Sequence, residues 1–264
     1  MIIAQISDTH ISAKGLKTYG VAPMAENLEC CINHINQQSP KPELVLVTGD
    51  ITATGKVEEF KHAVDLLNLF EMPFYVIPGN HDNRDLVLST FDRKTCPCET
   101  KTKLDYVIEN PELRMIALDS TIPQSPGGEV TEVQGAWLDG KLSEKPTQPT
   151  LIFMHHPPVN CGVLETDVDG FSGKDILGEI ISRHRHVEKI ICGHIHLPVN
   201  TRWQGTVVST APSMGMQLAL DLKMKRESEF VLEPPAYQLH YWTPDKNLIT
   251  HTIVVKSVDG PYFF

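Results

Sequence analysis

Short apolar runs recur along most of the chain and predict buried β-strands. Each run is bounded by glycine, proline or polar residues, as expected where a strand ends and a loop begins. The predicted strands cover residues 2–6, 44–48, 74–77, 114–118, 150–154 and 188–192.

Between these strands, apolar residues recur at spacings of three and four, which predicts helices with one buried face. Thr131 and Gln134 match a capping box at the start of one of these helices. The alternation of strands and helices favours an α/β fold in which helices cover a sheet. The predicted helices cover residues 24–37, 57–70, 131–142 and 173–184.

The last part of the chain has a different pattern. Residues 200–210, 228–242 and 247–255 are rich in β-branched and aromatic side chains, and residues 244–247 carry a turn signal. They predict consecutive strands that form hairpins or a second sheet. Long loops are predicted elsewhere, and long loops beside a site often form its walls. These loops cover residues 11–23, 119–130, 157–172 and 211–227.

Composition and charge restrict the classes of function. The 264 residues are 41% hydrophobic and 21% charged, which is typical of a folded globular protein. The formal net charge of −10 argues against a nucleic-acid polymer as partner. It does not exclude a small anionic substrate, because bound cations reverse the local potential.

The first residues and the cysteines predict a cytoplasmic protein without a membrane span. Residues 2–6 have the pattern of a core strand and not of a secretory signal, and no apolar run approaches the ~20 residues of a spanning helix. The six cysteines show no spacing typical of a disulfide framework, which favours reduced thiols.

Five polar motifs directly follow predicted strands. Strand ends of open α/β sheets are where binding sites form, so we expect these motifs to meet. Carboxylate, imidazole and amide oxygen together suit Mn, Fe or Zn. The motifs are Asp8-Thr9-His10, Gly49-Asp50, Gly79-Asn80-His81-Asp82, His155-His156 and Gly193-His194-Ile195-His196.

The spacing within the motifs indicates which side chains share an ion. Residues two apart in an extended segment project to the same side, which applies to Asp8 with His10 and to the two histidines of the last motif. His155 and His156 are consecutive and point oppositely, so at most one is expected to bind metal. Glycines precede Asp50, Asn80 and His194, and they permit tight turns and a close approach of the backbone.

The other histidines and the cysteines are assigned structural or surface roles. His184 and His186 lie in a basic run at a predicted helix end. Cys192 ends an apolar strand and is expected in the core, whereas Cys161 lies on a loop beside the site. The remaining histidines of this group are His34, His62, His240 and His251.

Together the motifs resemble the calcineurin-like metallophosphoesterase superfamily. Within it, the chain is similar to bacterial class III cyclic-nucleotide phosphodiesterases and to glycerophosphodiesterases, and residues 233–237 (Glu-Pro-Pro-Ala-Tyr) also resemble bacterial members. The resemblance implies a four-layer α-β-β-α sandwich of two mixed sheets, here with a C-terminal β-rich extension. It also implies that residues 1–264 form a single metallophosphoesterase domain, with residues 211–264 as that extension or as an oligomerisation region.

The resemblance further implies a dinuclear metal site in which Asp50 bridges two ions. One ion would take Asp8, His10, Asp50 and His196. The other would take Asp50, Asn80, His155 and His194. Every ligand position of the family pattern is present, so we expect two Mn, Fe or Zn ions.

Two ions ~3.5–4 Å apart can clamp a phosphoryl oxygen and generate a bridging hydroxide that attacks phosphorus. We expect His81 to stabilise or protonate the leaving oxygen as a catalytic residue. Asn80, His81 and His156 are candidate substrate contacts, and Tyr19 on the first long loop can stack on a substrate or lie exposed. Asp82 either orients His81 or begins a helix.

The predicted function is hydrolysis of a small phosphodiester, with 3′,5′-cyclic AMP or another cyclic nucleotide first and a glycerophosphodiester as the alternative. A phosphomonoesterase such as a protein phosphatase is disfavoured, because Gly49-Asp50 is followed by Ile51-Thr52 and the fourth motif residue is Asp82 rather than Glu. A silent scaffold is disfavoured by the full ligand set, and a nuclease by the acidic charge. The resemblance also implies a homo-oligomer.

Overall fold

Two mixed β-sheets form the centre of the computed structural model, which describes residues 1–98, 102–222, 229–257, 259 and 262–263. The first sheet has the strand order β16-β15-β1-β2-β3. Its strands are β1 (Ile2–Ile6), β2 (Leu44–Thr48), β3 (Phe74–Ile77), β15 (Ala236–Trp242) and β16 (Leu248–Val254). The second sheet has the order β11-β12-β10-β8-β5-β4. Its strands are β4 (Tyr106–Ile108), β5 (Arg114–Leu118), β8 (Thr150–Met154), β10 (Val187–Cys192), β11 (Asn200–Trp203) and β12 (Thr206–Thr210).

Helices cover the outer face of each sheet. The side chains of β5 alternate: Met115 and Ala117 join the core that includes the first sheet, whereas Ile116 and Leu118 face the other way. Buried residues of α1, α2 and α3 belong to the first core and those of α4 and α6 to the second, which confirms the predicted four-layer sandwich. The helices are α1 (Met24–Asn36), α2 (Val57–Leu67), α3 (Arg84–Thr90), α4 (Glu132–Glu144), α5 (Leu164–Asp169) and α6 (Lys174–Arg183).

Parallel pairing brings the motif-bearing strand ends to one edge of the molecule. Strand β2 pairs in parallel with both β1 and β3, and β8 pairs in parallel with both β5 and β10. Parallel strands end on the same side of a sheet, so the loops that follow them are neighbours. All six strands predicted from apolar runs are present, and the capping box joins Thr131 to Gln134 at the start of α4.

The C-terminal strands extend the first sheet. Strand β15 pairs antiparallel with β1, and β16 pairs antiparallel with β15 over seven residue pairs. Prolines 234 and 235 separate β15 from the strand before it, so the predicted strand over 228–242 is two strands. Residues 223–228, which include parts of the predicted loop 211–227 and of that strand, lie outside the described residues.

Two small sheets lie mostly in stretches that were predicted as loops, and those loop predictions are wrong in this respect. Residues 230–232 of the second small sheet fall within the predicted strand 228–242. The strands of the first small sheet are short and rich in proline, glycine and polar residues, and those of the second are three residues long. Neither sheet therefore shows the periodicity that identifies longer strands. Helix α5 and strand β4 were likewise not predicted, and a helix near α3 was given only as an alternative for Asp82. The small sheets consist of β6 (Thr121–Ile122), β7 (Ser125–Glu129) and β9 (Phe171–Ser172), and of β13 (Met216–Leu218) and β14 (Phe230–Leu232).

Candidate metal centre

The five motifs meet where the strands of the two sheets end. Asp8 and His10 follow β1, Asp50 follows β2, and Asn80 with His81 follows β3, all from the first sheet. His155 follows β8, and His194 and His196 follow β10, from the second sheet. The site therefore lies across the junction of the two sheets, and neither sheet alone carries it.

Five of the seven predicted metal ligands have left-handed backbone conformations. Their φ angles lie between 40° for His10 and 70° for His194. Non-glycine residues rarely adopt this region, and each such residue costs roughly 1 kcal/mol or more. The turns hold the side chains in place at that cost, which is typical of functional sites. The five are Asp8, His10, Asp50, His194 and His196.

The first ligand cluster consists of Asp8, His10, Asp50 and His196, and each offers a donor atom within 4.8 Å of the others. The Nε2 atoms of His10 and His196 are 2.9 Å apart. His10 Nε2 is 3.6 Å from Asp50 Oδ2, and His196 Nε2 is 3.5 Å from Asp8 Oδ1. Both carboxylates are almost completely buried. This set matches the first ion's predicted ligands.

The second cluster is centred on the side-chain oxygen of Asn80. This oxygen is 3.1 Å from His155 Nε2 and 3.0 Å from His194 Nδ1. His155 Nε2 is also 3.4 Å from Asp50 Oδ2. Asp50 is thus within 4 Å of a histidine from each cluster, the position expected of a bridging carboxylate.

Backbone carbonyl groups fix the orientation of two ligand rings. His155 donates from Nδ1 to the carbonyl of Thr48 at 2.7 Å, and His196 donates from Nδ1 to the carbonyl of Met216 at 2.7 Å. In both rings the Nε2 lone pair therefore faces the site. Such outer hydrogen bonds set the tautomer of metal-binding histidines.

The donor chemistry of the clusters fits bound cations. The Nε2 lone pair of His155 faces two acceptor oxygens, from Asn80 and Asp50. Lone pairs that face each other repel unless a proton or a cation lies between them. The arrangement therefore has the chemistry of a metal site built from nitrogen and oxygen donors.

The pKa values show how strongly this buried cluster depends on charge. Burial opposes a charge on His155, but the Asp50 carboxylate outweighs it and raises the His155 pKa to about 9. Burial likewise opposes charge on Asp50, yet His155 and His10 hold its pKa well below the usual range. Burial lowers the pKa of His194 to about 3, which favours the neutral imidazole that a metal requires.

His156 lies beside the second cluster but is committed to other partners. Its Nε2 donates to the carbonyl of Pro126 at 3.1 Å, and its Nδ1 is 2.9 Å from the Ser120 hydroxyl, which can donate to it. Neither nitrogen is left to bind an ion, although the ring is close enough to do so. The structure therefore supports a metal-facing role for His155 alone in this pair.

His81 and Asp82 have distinct positions. The His81 backbone N–H donates to Asp50 Oδ1 at 2.9 Å, and its ring donates from Nδ1 to the Ala53 carbonyl at 2.8 Å. Its Nε2 is therefore the ring nitrogen that remains available to another group. Asp82 does neither of the things expected of it: its carboxylate accepts from the backbone N–H groups of Gly79, Ile51 and Thr52. It joins two ligand turns, and Asn83 caps α3 instead.

A cavity of about 400 Å³ opens above the clusters and is called the main cavity here. Its walls include ligand residues together with Tyr19, Met216, Leu218 and Phe230. The rings of Tyr19 and Phe230 are 5.8 Å apart at the mouth, and Tyr19 is 59% exposed. No polar motif marks the residues of β13 and β14, and the sequence left the segment 211–240, with Met216 and Phe230, open as a dimerisation surface or as part of a lid over the site.

The remaining histidines and cysteines lie outside the two clusters. His34 contacts the Tyr237 hydroxyl, His184 pairs with Asp139, and His240 contacts Gln5. Cys192 is buried, as expected, and Cys161 is partly buried. All six cysteines are free thiols. In the part of the chain that the structure describes, no helix is long and apolar enough to cross a bilayer.

Comparisons with known proteins agree with this geometry. Residues 1–198 match the family described as Calcineurin-like phosphoesterase. A probable glycerophosphodiester phosphodiesterase from Arcobacter nitrofigilis is 41% identical over 100% of this chain and 97% of the relative. A 3′,5′-cyclic adenosine monophosphate phosphodiesterase from Escherichia coli K12 is 27% identical over 81% of this chain and 76% of the relative.

The fold is also found in solved structures. A dimetal phosphatase from Danio rerio superposes with a TM-score of 0.66 over 97% of this chain and 99% of that chain. The sequence identity is 16%, so this likeness concerns the fold alone.

Proposed function

Because the chain belongs to the calcineurin-like phosphoesterase family, we propose that it is a dinuclear-metal phosphodiesterase that hydrolyses a small phosphodiester. The observation that carries the proposal is the pair of adjoining donor clusters, with Asp50 between them, at the floor of the main cavity. When bound, two divalent cations supply Lewis acidity toward the phosphoryl oxygens and the attacking water.

The ligand assignment is part of this proposal. Asp8, His10, Asp50 and His196 would hold one ion, and Asp50, Asn80, His155 and His194 the other. The distances within each cluster and the ring orientations described above support it. Nitrogen and oxygen donors without a thiolate favour Mn, Fe or Zn, which metal analysis of the purified protein would identify.

His81 is proposed as the catalytic residue for the leaving group. Its Nδ1–H is held by the Ala53 carbonyl, and its ring lies 4.7 Å from that of His10 at the wall of the main cavity. The opposite ring nitrogen, when it carries the ring's second proton, can donate that proton to a departing oxygen. Asn80, His81 and His156 remain the proposed substrate contacts, and the committed nitrogens of His156 favour a packing contact for that residue.

Two classes of diester are proposed as substrates. A 3′,5′-cyclic nucleotide was expected first from the sequence, and the Escherichia coli relative is named for cyclic AMP. A glycerophosphodiester is favoured by the name of the Arcobacter nitrofigilis relative, which aligns over the whole chain at 41% identity.

A parallel assay tests the function. Metal-loaded protein is given 3′,5′-cyclic AMP, 2′,3′-cyclic AMP, glycerophosphoethanolamine and p-nitrophenyl phosphate, with Asn80→Ala as control. We expect the highest kcat/KM for a diester and a loss of at least about a hundredfold in the control, because an ion loses a ligand. Turnover of the monoester alone would refute the proposal.

We further propose that the protein is a cytoplasmic homo-oligomer. Each subunit would form one metallophosphoesterase domain over residues 1–264. The free thiols support the compartment, and the pairing of β15 with β1 supports the single domain. Leu220, Val231 and Leu232 on or beside the β13–β14 hairpin are 43–56% exposed and suit a contact between copies. Light scattering coupled to sizing chromatography tests this: Val231→Glu should yield monomer, and a monomeric wild type would refute the proposal.

A further inference from the structure

A second groove of about 410 Å³ adjoins the candidate metal centre. Residues 54–55, 79–85 and 121–124 line it. It matches the main cavity in volume, and the two share Asn80 and His81 in their walls. If Asn80 and His81 contact the substrate, its reacting phosphorus lies beside them. The phosphorus would then have the main cavity on one side and the second groove on the other.

The β6–β7 hairpin stands between the two cavities. Pro126 of this hairpin lines the main cavity, whereas Ile122 and Gln124 line the second groove. The hairpin base is held firmly: Arg84 of α3 pairs with the buried Asp119 at 2.6 Å and donates to the Thr121 hydroxyl at 2.7 Å. The groove is therefore a built feature of the fold, fixed between α3 and the hairpin.

Gln124 at the hairpin tip has a φ angle of 61°. Ile122 pairs with Ser125, so Gln124 is the third residue of a four-residue turn. A positive φ there strongly favours glycine or asparagine, and a glutamine costs stability. A long amide side chain on the groove wall, retained at that cost, points to a contact with whatever enters the groove.

The polarity of the groove indicates the kind of group that it accepts. Gln124 and Asp85 are exposed polar residues on its wall, and the Arg84 guanidinium is already paired with Asp119. The described wall residues include no lysine and no second arginine. A second anionic group is thus disfavoured, and an uncharged arm that carries hydroxyl groups suits the wall.

We propose that the substrate is an acyclic diester with two separate arms, and that the second groove binds the arm that does not leave. This rests on the proposed phosphodiesterase function. His81, the proposed partner of the leaving oxygen, lines both cavities, but its ring lies 4.7 Å from that of His10, which lines the main cavity and not the second groove. This contact assigns the leaving arm to the side of the main cavity. A cyclic nucleotide carries both ester oxygens on one sugar and has no second arm for this groove.

Three diesters that share one leaving group test the proposal: methyl p-nitrophenyl phosphate, glyceryl p-nitrophenyl phosphate and bis(p-nitrophenyl) phosphate. Ile122→Trp narrows the second groove, and Leu218→Trp narrows the main cavity as the matched control. We expect Ile122→Trp to lower kcat/KM at least tenfold for the two larger arms and less than twofold for the methyl ester. Leu218→Trp should lower all three.

The outcomes distinguish a failure of the phosphodiesterase function from a failure of the groove assignment. If wild type hydrolyses none of the diesters, the phosphodiesterase function itself fails. If wild type hydrolyses them but Ile122→Trp affects all three equally, or leaves the larger diesters unchanged, the groove assignment is overturned. Metal content measured for each variant distinguishes a blocked groove from a damaged centre.

Gln124→Gly tests the contact residue. The variant should raise Tm, because glycine accepts the positive φ, and should lower kcat/KM several-fold for the glyceryl ester but not for the methyl ester. Lys246→Gly is the matched control, since Lys246 has a φ angle of 59° in a turn that lines neither cavity. A higher Tm with unchanged turnover of the glyceryl ester would remove Gln124 from the groove's function.

Discussion

At the scale of single residues, the role of each ring depends on which of its nitrogen atoms is not used in a hydrogen bond within the protein. His155, His196 and His81 each donate a hydrogen bond from Nδ1–H to a backbone carbonyl, and this leaves Nε2 for the site. His156 has both nitrogens occupied within the protein. Adjacent histidines of identical chemistry thus differ in role because their hydrogen-bond partners differ.

His81→Ala should lower kcat by roughly a hundredfold or more while two metal ions remain bound, because His81 is proposed to act on the leaving oxygen and not on the ions. Steady-state kinetics and metal analysis check this together. His251→Ala, at an exposed strand position, serves as control. Unchanged kcat would exclude His81 from catalysis, and lost metal would reassign it as a ligand or structural residue.

At the scale of elements, the turns that follow the strands leave no room for added atoms. A Cβ on Gly193 would lie 2.0 Å from Ser7 Oγ and 2.8 Å from Asp8 Oδ2. A Cβ on Gly79 would lie 2.2 Å from the backbone nitrogen of Asp50. Each turn therefore packs directly against a predicted ligand that follows a different strand, and the glycines allow that approach.

Gly193→Ala should weaken metal binding at least tenfold and destabilise the fold by about 1–3 kcal/mol, because Asp8 must move away from the new methyl group. Calorimetric titration with Mn²⁺ and thermal unfolding measure the two effects. Gly140→Ala is the matched control: a Cβ there meets nothing within 4 Å, and alanine within α4 should stabilise the protein by about 0.5–1 kcal/mol. Equal metal affinity in both variants would contradict the packing argument.

At the scale of the whole molecule, a buried polar network joins the two sheets beneath the metal centre. The Gln5 amide donates to Thr48 Oγ1 and to the Cys192 carbonyl, which lie on different sheets. Its oxygen contacts His240, and Thr250 links that ring to Lys189. Three of these strands lead directly into ligand turns, so the network fixes the sheets relative to each other where the site needs it.

Lys189 makes this network sensitive to pH. It is 6% exposed, and burial lowers its pKa from 10.5 to about 8. The unfolded chain therefore binds more protons between pH 8 and 10.5, and stability rises with pH across that window by up to about 3 kcal/mol. Below pH 8 the full cost of the buried charge is present.

Lys189→Met should remove this dependence. We expect the variant to be more stable than wild type at pH 7 and the difference to shrink as pH approaches 10.5. Urea unfolding at several pH values gives the free energy of unfolding of each protein. The difference between the two free energies is taken at each pH, so that the contributions of other titrating groups cancel. A difference that is constant with pH would show that the Lys189 charge is not buried at a cost.

The sequence by itself determined the central strands, most of the helices and the residues of the candidate site. Apolar runs such as 44–48 are continuous because both faces of those strands are buried, and this signal is local. The polar motifs stood out because each directly follows such a run. The four-layer architecture was also predicted from the sequence, because the motifs resemble those of a family with that architecture.

Only the tertiary structure decided what surrounds those residues. The strands β6, β7 and β13 are too short or too rich in proline and glycine for a periodicity to mark them, and β14 was not distinguished from the strand that follows it. These four strands nevertheless form part of the walls of the two cavities. The separate roles of His155 and His156, and the link that Asp82 makes between two turns, depend on partners distant in sequence. The residues proposed as metal ligands can be identified from local sequence motifs. The shape of the cavities and the hydrogen-bond partners depend on long-range packing, which no local sequence pattern predicts.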